Sequence, residues 1–145
     1  INKYPNNFYL LETKADLLLA HGYSNEANEF YKIVLDEDNN NQYAKKHIFD
    51  IKYDGINKQE YSEIENFFNQ FSELIIIFPN DKILLKKFKQ VSSLLDKNDW
   101  SEFIDANMLI IETKKNLALN KFNNILLNTK DKKLIEFIKK RIKML

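Results

Sequence analysis

Phe8–Asn40 reads FYLLETKADLLLAHGYSNEANEFYKIVLDEDNN, and its reading decides the fold. Two apolar-periodic runs, Phe8–His21 and Glu26–Leu35, flank the breaker Gly22-Tyr23-Ser24. Leu11, Ala15, Leu18 and Leu19 recur three to four residues apart, as they would on one face of a helix. Ala27, Phe30, Tyr31, Val34 and Leu35 do the same in the second run. Ser24 or Asn25 is placed to cap that second helix by accepting a hydrogen bond from its free amides. The spacing therefore predicts a helical hairpin, with helices over about 8–21 and 25–36.

Outward from the hairpin the pattern stays helical. Pro5 precedes Asn6 and Asn7, either of which can cap the first helix. Asn40 or Asn41 can open a third helix that carries Tyr43, Ala44, His47, Ile48 and Ile51 on one side and ends at Asp54-Gly55. Tyr61–Phe78 is the longest candidate. Its stripe Tyr61, Ile64, Phe68, Phe71, Ile75 and Phe78 alternates threes and fours, and Phe67 and Leu74 widen it. ELIIIF alone could be a strand, because isoleucine favours strands; the three helical turns before it decide for helix.

Pro79-Asn80-Asp81 breaks that helix and Asp81 can cap the next, Ile83–Leu95, with Leu84, Phe88, Val91 and Leu95 inward. Lys97-Asn98-Asp99 reads as a turn, and Asp99 as the cap of a helix over Trp100–Lys115 with Trp100, Phe103, Ile104, Ile110 and Ile111 as its stripe. Leu117–Leu127 follows, ending at Asn128-Thr129. A last helix over Asp131–Leu145 places Leu134, Ile135, Ile138, Ile142 and Leu145 inward. Eight helices in four antiparallel pairs is the expected count.

Composition agrees. The 145 residues suit about one domain, with enough chain to close a core without staples. Two glycines and two prolines are too few for a turn-rich β fold. No cysteine is present, so thiolate and disulfide chemistry are excluded; this fits a reducing compartment and slightly favours the cytoplasm. The longest uninterrupted apolar run, Leu74–Phe78, falls far short of the roughly 20 residues a membrane span needs. A sequence that opens on Ile1 also admits excision from a larger parent. Charge is distributed unevenly. Residues 1–40 hold three basic residues against seven acids, whereas 114–145 hold ten against two.

The hairpin resembles a tetratricopeptide repeat, a helix pair of about 34 residues with the pattern W-x2-L-G-x2-Y, A-x3-F and a closing proline. Leu11 stands at the tryptophan place, Ala15 at the small-residue place and Leu18 at the tyrosine place. Gly22 sits in the turn, Ala27 and Tyr31 match A-x3-F, and Asn39 holds the proline place. Lys14 departs from the expected leucine. The match is specific over about residues 8–40; later, Asp99-Trp100-Ser101-Glu102-Phe103 echoes the turn with Phe103 at the small place. The resemblance implies a single all-α domain, a right-handed α-solenoid of about four antiparallel helix pairs, degenerate after the first. It also implies a concave surface that binds a peptide or protein segment, with Glu12, Asp16 and Leu19 facing it.

No catalytic constellation accompanies this plan. His21 and His47 lie in different hairpins, and neither has a partner at metal-ligand spacing. Asp36-Glu37-Asp38 lacks the spacing of a calcium loop and reads as a solvated turn. No cofactor or metal is expected. The C-terminal helix carries a basic patch of Lys132, Lys133, Lys139, Lys140, Arg141 and Lys143. As the polar face of a capping helix it needs no ligand; an anionic surface is the alternative, and one arginine with few aromatics nearby disfavours nucleic acid. The residues point to a non-enzymatic scaffold for a protein, a peptide or a neighbouring domain of its own parent. An accessory module of a larger enzyme is the second reading.

Overall fold

The computed structural model describes residues 8–55 and 60–145, and every described element is helical. The expected caps Asn6 and Asn7 lie outside the described residues. The chain divides into two compact units, Ile1–Ile56 and Asn57–Leu145.

In the first unit α1 (Phe8–Ala20) packs on α2 (Ser24–Glu37), and α2 on α3 (Gln42–Asp54). Gly22 ends α1 at φ +83, in the left-handed region where a side chain is strained. The Tyr23 amide donates to Leu18 O at 2.9 Å and the Gly22 amide to Leu19 O at 3.1 Å, a Schellman closure. This tight turn returns α2 at once, so Tyr23 takes the N-cap place without a side-chain bond; neither Ser24 nor Asn25 caps. Asn41 does cap α3, accepting from the Ala44 amide at 3.0 Å. The core is small. Ala15, Ala27 and Ala44 are fully buried with Tyr31 and Val34, and the three methyl groups let the helix axes approach closely. Burying Val34 contributes about 2 kcal/mol.

In the second unit α4 (Tyr61–Ile77), α5 (Lys82–Leu94), α6 (Asn98–Ile111), α7 (Lys115–Asn128) and α8 (Lys132–Lys143) pack each on the next. The stripe expected for α4 is buried at Ile64, Phe68, Phe71 and Ile75, but Tyr61, its first residue, is 64% exposed. Aromatic rings fill the centre. Trp100 meets Phe68 and Phe137 edge to face, with centroids 5.2 and 5.3 Å apart, and Phe88 lies 5.7 Å away. Such pairs add about 1 kcal/mol each beyond the area they bury.

Two turns of the second unit differ from the sequence reading. Asp96 at φ 54 and Thr113 at φ 63 hold the backbone place that Gly22 holds in the first. Lys97 N bonds Ser92 O at 2.8 Å and Lys114 N bonds Leu109 O at 2.8 Å, closing α5 and α6 as Leu18 O closes α1. The α5–α6 turn is therefore centred on Asp96-Lys97, and α6 starts at Asn98 instead of being capped by Asp99. Helix α8 is amphipathic, with Leu134 and Ile138 fully buried, while Ile135, Ile142 and Leu145 are only half-buried at its margins.

Candidate functional site

The first cluster of polar side chains sits where α1 faces α2 and α3. Glu12 and Asp16 stand one turn apart on α1 and are half-buried. Asn41 Nδ2 donates to Glu12 Oε1 at 2.6 Å. Asp16 accepts from two phenols: Tyr31 bonds one carboxylate oxygen and Tyr43 the other, at 2.8 Å. Burial, followed by the bond to Asp16 and its charge, holds both hydroxyls well above the usual phenol range, so both stay protonated donors. The His47 ring stacks on Tyr31 with centroids 4.8 Å apart and meets Tyr43 at 4.4 Å, which fixes both phenols. No lysine or arginine among the described residues pairs with Glu12 or Asp16. Leu19, expected beside them, packs against the alanine core instead of joining the polar cluster.

The sequence offered Asn40 or Asn41 as the start of α3 and placed Tyr43 on its apolar side, and the structure gives Asn41 and Tyr43 each a second task. Asn41 uses its oxygen for the cap and its amide nitrogen for Glu12. Only the return of α3 along α1 brings Tyr43 to Asp16, 27 residues away. Asp36 and Glu37 are exposed, and Asp38 Oδ1 accepts from the Asn40 amide at 3.2 Å, an ordinary Asx turn.

The second cluster lies on α8. Lys132, Lys139, Lys140 and Lys143 are exposed. Lys133 is exposed as well, and its Nζ donates to Ser72 Oγ at 2.9 Å. Arg141 does not belong to the surface patch in which the sequence reading placed it. It is 7% exposed, with Nε donating to Asn107 Oδ1 and Nη2 to Asn80 Oδ1, both at 2.8 Å. Its spacing was a legible signal: Leu134, Ile138 and Arg141 fall at i, i+4 and i+7, on the apolar stripe. Burial lowers the guanidinium pKa from its ordinary value. Beside it, α4, α6 and α8 with their C-terminal flanks line a half-open cavity of about 40 Å³, walled by Ile75, Ile76, Pro79, Phe103, Phe137 and Met144, with Asn107, Lys140 and Arg141 as its polar edge.

Among the described residues no group of three or more His, Cys, Asp or Glu side chains could hold a metal ion. No helix of the described residues is long and apolar enough to cross a membrane. No protein-family model, no curated protein and no solved structure matches the chain.

Proposed function

We propose that this chain is a non-enzymatic binding scaffold, built as a degenerate right-handed solenoid of tetratricopeptide-like helix pairs, that docks a basic peptide or protein segment beside α1. The Glu12–Asp16 pair carries this reading: two half-buried carboxylates one turn apart that no described cation neutralises. Their donors are neutral amide and phenol groups, so the negative charge remains available to a partner. The repeat part of the reading draws support from a recurrence of local geometry. Measured from the left-handed turn residue, Ala27, Tyr31 and Val34 lie five, nine and twelve positions after Gly22, and Ala118, Phe122 and Ile125 lie at the same distances after Thr113. All six are buried.

An array of short peptides of graded charge tests the proposal on the full chain. Lysine-rich peptides should be retained, and Glu12→Lys should abolish their retention, with the loss of the Asn41 bond costing the first unit about 1–3 kcal/mol. Equal retention of acidic peptides, or retention unchanged by Glu12→Lys, would refute it. An anionic surface bound through α8 is the weaker alternative. Its exposed lysines support it, but the one arginine, the residue best shaped for phosphate, is buried away from that face.

A further inference from the structure

Arg141 is a buried cation with no counter-ion among the described residues. A guanidinium has five N–H donors. Asn107 takes one and Asn80 takes one, which leaves three, and no carboxylate among the described residues pairs with the group. Neutral amide oxygens orient a guanidinium but do not cancel its charge, and its unpartnered N–H groups are not sealed off from the open side of the cavity. Lys140, the preceding residue, adds a second positive charge at the edge of the same cavity. The other walls are hydrocarbon or aromatic. Ile76 is 47% exposed and offers an open side.

These features select a ligand by size and by chemistry. The recess of about 40 Å³ is half open, so it takes a carboxylate head and leaves a short tail on the apolar rim, and it is far too small for a nucleotide or a sugar phosphate. A phosphate alone would waste the apolar walls, and a neutral hydrocarbon would leave the guanidinium as it is. A planar carboxylate fits the guanidinium fork with two parallel N–H bonds. A short branched chain attached to it would cover Phe103, Phe137 and Ile75.

We propose that the α4–α6–α8 cavity binds a short-chain aliphatic carboxylate, its head on Arg141 and Lys140 and its hydrocarbon against the cavity walls. Such a ligand supplies a counter-ion and lays its hydrocarbon over the open apolar rim in one step. It also fastens α8 to α4 and α6 at the far end from the Trp100–Asp131 contact.

Titration calorimetry and amide chemical-shift mapping on the full chain test the proposal, with isovalerate as probe and isovaleramide and inorganic phosphate as controls. Isovalerate should bind with a Kd on the order of 1 mM, and shifts should cluster at Ile75, Phe103 and Arg141. The neutral amide of the same shape should bind about tenfold more weakly, as should phosphate. Arg141→Met removes the charge while keeping an apolar filler. It leaves the Asn107 and Asn80 oxygens without their donor, so it should lower the urea midpoint, and it should bind isovalerate about tenfold or more weakly. If that variant fails to fold, Ile76→Glu decides: at an exposed position it places an internal carboxylate at the mouth and should abolish isovalerate binding. Isovaleramide or phosphate binding as tightly as isovalerate, or unchanged isovalerate affinity in either variant, would overturn the proposal.

Discussion

The Trp100 indole N–H donates to Asp131 Oδ2 at 2.8 Å, while Oδ1 of the same carboxylate accepts from the Leu134 amide at 3.1 Å. One side chain thus caps α8 and ties its first turn to the buried ring at the start of α6. Asp131→Ala should remove the cap and leave a buried indole donor unsatisfied, a combined loss of about 2–4 kcal/mol. Asp131→Asn should cost less, because its single oxygen can serve the cap or the indole but not both. Trp100 is the only tryptophan, so urea unfolding followed by its fluorescence reports on the second unit. A loss below about 0.5 kcal/mol for Asp131→Ala would sink this account.

The three left-handed turns differ in the residue that occupies them. Gly22 is suited to φ +83, whereas Thr113 at φ 63 is β-branched and strained, and Asp96 at φ 54 lies between. Thr113→Gly should therefore stabilise the second unit by about 1 kcal/mol, and Asp96→Gly by about half of that. In the first unit, Gly22→Ala should cost about 1 kcal/mol through backbone strain alone. An added Cβ there meets no atom within 4 Å, so no steric term contributes. Shifts in the urea midpoint at constant slope are the measure, and a destabilised Thr113→Gly would contradict it.

Tyr31 and Tyr43 share Asp16, and both are held above the usual phenol range by burial and by that carboxylate. The folded state keeps two protons that the unfolded chain releases near pH 10. Their contribution is fully present below that pH and drains away as the pH rises through the folded values, at up to about 1.4 kcal/mol per pH unit for each phenol. Tyr31→Phe should flatten the decline of stability between about pH 10 and 12 by one proton's worth. Far-UV circular dichroism melts across that range would show it. The same slope in parent and variant would rule out the coupling.

The sequence by itself determined the helices. Apolar residues at threes and fours, Pro79 after α4, and Asn41 and Asp81 at caps are signals read within a few turns of chain, and each has its expected effect. The Ser24 and Asp99 caps failed because a Schellman closure restarts the helix within two residues and leaves no room for a side-chain cap. Only the tertiary structure decided which polar groups meet. Tyr43 reaches Asp16 because α3 returns beside α1, and Arg141 reaches Asn80 across 61 residues because α8 lies against both α4 and α6. Periodicity places a residue on a face, but the partner of that face is set by packing many side chains at once, and no local spacing encodes it. That packing turns the one arginine of a lysine-rich helix from surface charge into a buried cation.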